Sequence, residues 1–321
     1  MPFLKKNLLF ISMICLVMSF LAACGSSTGS KSDRSSSSNE KGTSTEQTLT
    51  DANGKVTLPT NPKRIIAPYL EDSLTALGVK PVAQWSIGDT VQNYLQSDLK
   101  GVPKIGWNLP LEQVMKYNPD LIIVSSPGTI QSGQLGDYQK IAPVYVFKDA
   151  TYADWRQQLL TMGNILGKED KAKKAISDYD KKAASDKAKI KKAIGDQTAA
   201  VIWVSGGKYY LFEQDRFSAK VLYEDLGVKA PKMVASLSKA KTQWNPISLE
   251  KLSELDADHI FLVGPKGDAG FSALDSSSVW NNLPAVKAGH VYTYNDPSNW
   301  TVNGIIASEK TMDDVTSALT K

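Results

Sequence analysis

The sequence predicts an α/β protein of two Rossmann-like lobes joined by one long helix. The first observation is an internal repeat, in which Trp107–Glu112 and the aliphatic run after it recur so that Glu112 matches Glu250, 138 residues later. The second is an alternation of strand-like and helix-like segments, which is typical of α/β units with right-handed crossovers. The third is a stretch without glycine or proline between the two copies, residues 168–194.

The N-terminus, residues 1–23, has the pattern of a lipoprotein signal peptide. Lys5 and Lys6 precede an uncharged stretch, Leu8–Ala23, that ends in small residues before Cys24. A basic region, an apolar core and a small-residue cleavage site are typical of exported proteins. The end of the stretch resembles a bacterial lipobox, which implies that Cys24 is lipidated. Two alternatives stay open: a secreted protein, and a transmembrane helix, although a span needs roughly 20 apolar residues.

Residues 24–48 are predicted to be a disordered tether. They are mostly Ser, Thr, Gly, Lys, Glu and Asn, so they bury too little apolar surface to offset chain entropy. Gly25–Gly29 matches the G-x-S-x-G pattern of hydrolase nucleophiles. That motif needs a strand before it and a helix after it, so we interpret the match as a result of composition.

The folded part, about 270 residues from Leu49, is long enough for two lobes. Cys15 and Cys24 are the only cysteines, so the predicted lobes have no disulfide and no thiolate metal site. Without Lys5 and Lys6 the chain has 35 basic and 33 acidic residues, a net charge of +2. This near-neutral balance gives no indication of nucleic-acid binding.

The first lobe is predicted to span residues 49–150. Each repeat copy begins with a short helix at Leu-Glu, with proline close to its start. The aliphatic strand that follows is typical of parallel strands covered on both faces. The further elements predicted for this lobe are strands at 64–67, 81–84 and 144–147 and a helix at 73–77 that ends at Gly78.

A helical connection is predicted over residues 151–195, and its main helix occupies 168–194. Apolar residues recur there at helical spacing, and Gly195 ends the helix. At 1.5 Å per residue this helix is roughly 40 Å long, which suits a strut between lobes as well as a solvated basic helix. The second lobe, 196–321, is predicted to contain strands at 199–204, 209–212, 260–263 and 291–294 and helices at 218–226 and 305–319.

Five further stretches, in the same order, carry a family resemblance. They are Asn61–Ile66, Leu77–Val82, the two repeat copies and Leu283–Tyr292. With the lipobox, they resemble the solute-binding lipoproteins of ABC importers for iron–siderophores, haem and vitamin B12. The resemblance covers the mature chain, implies the class III periplasmic-binding-protein fold, and is nearest to Gram-positive siderophore receptors.

The resemblance implies an iron-transport function without enzymatic activity. It implies a monomeric receptor, anchored at the extracellular face of the cell membrane by palmitate or a similar lipid on Cys24. The receptor binds a ferric siderophore between its lobes and delivers it to the permease dimer of an ABC importer with its ATPase. Iron is carried only within the ligand, so no cofactor is expected. The alternatives are a haem or corrinoid receptor of the same fold and a surface-anchored hydrolase.

Aromatic residues in the loops after the predicted strands are candidates for the ligand-binding site. Ligands of α/β lobes bind outside the carboxyl ends of the strands, and aromatic rings with a polar edge suit a bulky chelate. Ordinary core packing is the alternative for each tryptophan, and it is favoured for Trp155 and Trp280. The predicted wall residues are Tyr69, Trp85, Trp107, Trp244 and Trp300.

Arg216 is the candidate polar contact. It lies between a predicted strand and helix, where the resembling siderophore receptors carry an arginine that contacts ligand oxygen atoms. A guanidinium donates several hydrogen bonds to hydroxamate, carboxylate or catecholate oxygens. The alternative is a salt bridge to Glu213 or Asp215. Arg216 is the one cation predicted to reach the ligand, and Lys104 is the only obvious second one. So few positive charges favour a hydroxamate or citrate-hydroxamate chelate of low charge.

Glu112 and Glu250 occupy matching places in the repeat, at the start of a short helix. In the resembling systems one glutamate per lobe docks onto arginines of the permease. A carboxylate at a helix N-terminus is also favourable in itself, which is the alternative.

No metal site or catalytic site is predicted. His259 and His290 are the only histidines, and there is no HExxH motif and no cysteine pair, so a zinc site or a cluster lacks its ligands. The sequence has no phosphate-binding loop, no dinucleotide fingerprint and no motif-supported nucleophile with a base.

Overall fold

The computed structural model describes residues 45–130, 133–241 and 243–321. The predicted signal peptide and Cys24 lie outside the described residues, as does the predicted tether up to residue 44. The first strand begins at Glu46, so the fold starts slightly before Leu49, the predicted boundary. Within the described part, no helix combines the length and the apolar character that crossing a membrane requires.

The strands form sheets in two regions of the chain. They are β1 (Glu46–Asp51), β2 (Gly54–Pro59), β3 (Ile65–Ile66), β4 (Gln84–Ser86), β5 (Lys104–Gly106), β6 (Leu121–Val124), β7 (Val144–Val146), β8 (Ala199–Ser205), β9 (Lys208–Leu211), β10 (His259–Val263) and β11 (Val291–Tyr294).

The helices connect and cover these strands. They are α1 (Glu71–Ala76), α2 (Gln96–Leu99), α3 (Leu111–Lys116), α4 (Leu135–Gln139), α5 (Asp149–Tyr152), α6 (Trp155–Ile165), α7 (Glu169–Ile194), α8 (Ser218–Lys220), α9 (Lys232–Ala235), α10 (Leu249–Leu252), α11 (Ala269–Asp275), α12 (Ser278–Asn281), α13 (Pro284–Lys287) and α14 (Ile305–Leu319), with 3-10 turns at Asn93–Leu95 and Pro127–Thr129 and a π-helical turn at Val221–Asp225.

The N-terminal lobe is built on parallel strands. β6 pairs with β3 on one side and β7 on the other, and β4 pairs with β5. A parallel bridge between Ile66 and Ala83 links the two groups. The antiparallel hairpin β1–β2 joins this lobe through the Asp51 carboxylate, which accepts a hydrogen bond from the Val146 amide at 3.0 Å.

The C-terminal lobe has the strand order β11–β10–β8–β9, in which only β9 is antiparallel. Gly206 and Gly207 turn the chain between β8 and β9 with φ angles of 58° and 71°, a left-handed conformation that favours glycine. The predicted tight turn is therefore confirmed. The helix predicted at 218–226 is shorter, because α8 passes into the π-helical turn at Val221.

The repeat has the same structural role in both lobes. Asp120, before β6, accepts the backbone N–H groups of Lys63 and Arg64 at 2.7 and 2.9 Å. Asp258, before β10, accepts the backbone N–H of Thr198 at 2.7 Å. In each copy the aspartate thus fixes the start of the neighbouring strand.

One hydrophobic core runs through both lobes. It includes Ile65 and Leu121 of the first lobe, Val201 and Phe261 of the second, and Tyr179 of α7. The interlobe helix α7 ends at Gly195, which has a φ of 60°, so the predicted long helix is confirmed. α14 packs against both α7 and α1, and the C-terminal helix is therefore a second connection between the lobes.

Candidate ligand-binding site

Three of the predicted aromatic residues lie on or directly after β3, β4 and β5 of the N-terminal lobe. Tyr69 and Trp107 follow β3 and β5, but Trp85 is the middle residue of β4 and not in the loop after it that the sequence predicted. The ring centroids of Tyr69 and Trp85 are 5.2 Å apart, and the planes are tilted by 54°. Tyr69 has a φ of 66°, an uncommon conformation for tyrosine that places its ring beside β4. Trp107 follows β5 and is 38% exposed. These rings occupy the edge at which α/β lobes bind ligands.

A buried acid that the sequence analysis missed supports this edge. Glu71 is almost completely buried, and its Oε1 accepts the backbone N–H of Trp85 at 2.7 Å. Its Oε2 has no hydrogen-bond partner among the described residues. Burial raises the pKa of Glu71 to about 7, against the effect of its backbone hydrogen bonds. The position of Glu71 at the start of α1, two residues after Tyr69, is the only sequence signal that pointed to it.

Trp244 is the centre of an aromatic cluster in the C-terminal lobe. Its ring centroid lies 4.9 Å from those of Trp203 and Phe212. Tyr210 and Phe217 complete the cluster at 5.9 and 6.1 Å. The sequence analysis identified only Trp244. The other four residues lie on β8, on β9 or in the turn that follows, so they were indistinguishable from ordinary strand residues.

Arg216 belongs to this cluster and is only 4% exposed. Its guanidinium carbon lies 4.1 Å from the centroid of Trp244, a cation–π geometry. Its Nε donates to Glu213 Oε2, and its Nη2 donates to Glu213 Oε1 at 3.0 Å. The carbonyl oxygens of Lys241 and Gln243 accept further hydrogen bonds from Nη2 at 2.9 and 3.4 Å. The salt bridge to Glu213, considered from the sequence as a solvated alternative, is therefore formed in a largely buried environment.

Trp300 requires a correction. It is completely buried, and its ring packs against Tyr294 at 5.1 Å and Phe261 at 5.6 Å. The structure thus places Trp300 in the core that joins the lobes, away from the exposed wall that the sequence predicted. Its loop position suggested a binding role, but the loop folds inward beside α14. Trp155 and Trp280 are buried, as predicted.

Glu112 and Glu250 are exposed at the starts of α3 and α10. The side chain of Ser248 caps α10 by accepting the backbone N–H of Lys251 at 3.2 Å. α3 also presents Met115, which is 54% exposed. Each lobe therefore offers one carboxylate to solvent from a matching short helix.

Both nitrogens of the His259 ring have neighbours in the protein. Nδ1 lies 3.1 Å from the Tyr292 hydroxyl, and Nε2 lies 3.1 Å from Gln197 Oε1. The ring stacks on His290 with centroids 4.5 Å apart, and burial lowers the pKa of His259. Within the described ranges, no three His, Cys, Asp or Glu side chains converge on a possible metal position.

Comparison with known proteins identifies the family. The family model described as periplasmic binding protein matches residues 71–297. The chain belongs to the periplasmic binding protein family. It is 37% identical to the iron(3+)-hydroxamate-binding protein FhuD of Bacillus subtilis over 95% of both chains.

Solved structures of this family share the fold. The FhuD protein from S. pseudintermedius superposes with a TM-score of 0.72 at 28% identity, covering 86% of this chain and 98% of that one. FhuD2 from Staphylococcus aureus with bound ferrioxamine B superposes with a TM-score of 0.68 at 31% identity, covering 81% and 98%. The two-lobe α/β fold with one interlobe helix and the family resemblance are therefore both confirmed, and the family consists of binding proteins.

Proposed function

We propose that this protein is a surface receptor that captures a ferric siderophore of the hydroxamate type and delivers it to an ABC importer. The observation that carries the proposal is the 37% identity, over nearly the whole chain, with a protein named as an iron(3+)-hydroxamate-binding protein. The aromatic edge at Tyr69, Trp85 and Trp107 and the cluster around Trp244 support it, because aromatic rings with polar edges suit a bulky amphipathic chelate.

The proposed mechanism is capture without chemistry. The aromatic residues contact the organic shell of the chelate, and Arg216 donates hydrogen bonds to its oxygen atoms. Arg216 is largely buried, and a ligand oxygen that accepts from its Nε or Nη2 competes with the acceptors that these atoms already have. No covalent bond forms or breaks, iron is cargo within the chelate, and no resident cofactor takes part.

Tryptophan fluorescence tests the ligand class. Trp107 is exposed and Trp85 and Trp244 are half-buried, so a ferric trishydroxamate bound beside them should quench the emission. The iron-free hydroxamate should quench much less. A panel containing ferric hydroxamates, ferric citrate, a ferric catecholate, haem and a corrinoid separates the alternatives. If haem or a corrinoid changes the emission and no ferric siderophore does, the proposed ligand class is wrong.

We further propose that Glu112 and Glu250 dock the two lobes onto the two halves of a permease dimer. A receptor with one carboxylate at matching places on each lobe suits a two-fold partner. The double variant Glu112→Ala, Glu250→Ala should bind the ferric chelate with unchanged affinity but lose iron uptake in cells. Glu254→Ala, which removes another exposed carboxylate close to α10, is the control. Normal iron uptake by the double variant would contradict the docking role and would mean that both glutamates only stabilise the helix N-termini.

We also propose anchoring of the mature protein by lipid on Cys24 at the extracellular face of the membrane. Fractionation of cells that produce Cys24→Ala should find the protein released from the membrane or retained as an unprocessed precursor. The same membrane association in the variant and the wild type would contradict the lipid anchor.

A further inference from the structure

Arg216 is electrically balanced by its own neighbour. Glu213 engages Arg216 Nε and Nη2 with both carboxylate oxygens, and the pair lies beside the Trp244 ring. The backbone carbonyls of Lys241 and Gln243 accept further hydrogen bonds from the same guanidinium. Arg216, the proposed cationic contact of the ligand, is therefore paired with the Glu213 carboxylate, and the two side chains together carry no net charge.

Glu213 also borders a surface groove of the C-terminal lobe, which Arg216 does not line. Its side chain retains 14% of its exposure, against 4% for Arg216. The groove has a volume of about 720 Å³ and continues past Ile247 towards Lys251. Lys251 forms an ion pair with Glu254 and not with Glu213. The carboxylate is thus the more accessible member of the Arg216–Glu213 pair.

Lys104, the second candidate cation, also has a carboxylate partner, although that pair is exposed to solvent. Lys104, at the start of β5, forms an ion pair with Asp89 at 2.9 Å. Glu71 adds a further acid behind Tyr69 and Trp85. Arg216 and Lys104, the two candidate cations named from the sequence, therefore both have carboxylate partners among the described residues.

We propose that Glu213 is a specificity-determining residue that selects ferric chelates without net negative charge. The inference rests on the proposed function. A ferric trishydroxamate is uncharged at its metal centre, and its oxygen atoms can share the Arg216 donors while Glu213 stays in place. A ferric triscatecholate is triply negative, so its approach to Arg216 also brings it towards the Glu213 carboxylate, which repels it.

Glu213→Gln tests this, because it removes the charge while keeping the length of the side chain. The dissociation constants of an uncharged ferric trishydroxamate and of a ferric triscatecholate are measured for the wild type and the variant. We expect the variant to improve the affinity for the anionic complex, relative to the uncharged one, by about tenfold or more, a change of about 1.4 kcal/mol. Glu254→Gln removes a charge at the same groove without contacting Arg216, and its affinity ratio should stay within about threefold of the wild type.

Several results would overturn the inference. An equal change in both affinities would make Glu213 a structural partner of Arg216 only. An equal ratio change in Glu254→Gln would indicate a general charge effect. A variant that binds the trishydroxamate but still shows no binding of the triscatecholate would also contradict it. If Glu213→Gln does not fold, Glu213→Ser gives the same comparison. If the wild type binds no ferric chelate at all, the proposed function has failed rather than this inference.

Discussion

Gly304 lies where the C-terminal helix meets the N-terminal lobe, and replacing it with alanine should break that connection. Asp72 of α1 is buried, and its carboxylate accepts the backbone N–H groups of Ile306 and Ala307 at 3.1 and 2.9 Å. A Cβ on Gly304 would lie 2.6 Å from Asp72 Oδ1 and closer still to Oδ2 and Cγ. The φ of Gly304 is 171°, an extended value open to any residue, so the cost of the substitution is steric.

The expected magnitude follows from the displaced contacts. Overpacking costs about 1–3 kcal/mol, and each hydrogen bond to a charged group contributes about 1.5–3 kcal/mol. If the carboxylate moves and one of its two bonds is lost, Gly304→Ala lowers the free energy of unfolding by about 3–5 kcal/mol. Gly136→Ala in α4 is the control, because among the described residues nothing beyond its chain neighbours and its own helix backbone lies within 4 Å of an added Cβ. It should be neutral or stabilising by up to about 1 kcal/mol.

Urea unfolding of a double-mutant cycle is the assay. Asp72→Ala removes the atoms with which the new methyl group collides, so Gly304→Ala should cost less than about 1 kcal/mol in that background. The coupling energy between the two sites, which is the difference between the two costs, should then be about 2–5 kcal/mol. Equal costs of Gly304→Ala in both backgrounds would refute the view that the Asp72 carboxylate fills this space.

Three further predictions concern buried groups. Because burial raises the pKa of Glu71 from 4.5 to about 7, the folded state holds the proton more tightly, and this group lowers the unfolding free energy as pH rises through that range. Glu71→Gln should therefore gain stability relative to the wild type, by up to about 3 kcal/mol between about pH 5 and pH 8 in urea titrations; a pH-independent difference would contradict this. Tyr179→Phe removes a 2.6 Å hydrogen bond to the Asp225 carboxylate and should cost about 1.5–3 kcal/mol. Tyr223→Phe removes a 2.8 Å bond to the Ala199 carbonyl and should cost about 1 kcal/mol, so a larger cost in Tyr223→Phe would be a failure of the reasoning. Trp300→Ala should destabilise by about 3–5 kcal/mol in thermal unfolding, whereas Trp107→Ala should change stability little and weaken chelate binding; the opposite pattern would restore Trp300 to the site.

Local sequence signals predicted most of the architecture. The repeat located β6 and β10 with the short helices before them, and the stretch without glycine or proline located α7 to within one residue. These elements were predictable because apolar periodicity and capping residues are local signals, each contained within a short stretch of sequence. Strand β4 was less well placed, at Gln84–Ser86 against a predicted 81–84, because its pairing with β5 sets its limits.

The site was predicted less completely, because it depends on contacts between distant segments. Tyr69 and Trp85 were identified from predicted loop positions and do lie together, although Trp85 is within β4. Trp300 has a similar predicted loop position, yet its ring packs against Tyr294 of β11 and Phe261 of β10. The burial of Arg216 depends on carbonyls 25 and 27 residues further along the chain, and the Asp72 contact spans 234 residues. No local sequence pattern predicts such contacts between residues that are far apart in the chain.

The most direct test of the central claim is a calorimetric titration of the purified protein with a ferric trishydroxamate such as ferrioxamine B. One chelate should bind per chain, and the iron-free hydroxamate should bind much more weakly. Arg216→Ala should weaken the binding by about 1.5–3 kcal/mol, which is about tenfold to a hundredfold in the dissociation constant. Saturable binding of the ferric chelate that is unaffected by Arg216→Ala would remove Arg216 from the site. The absence of heat with every ferric hydroxamate tested would contradict the proposed function itself.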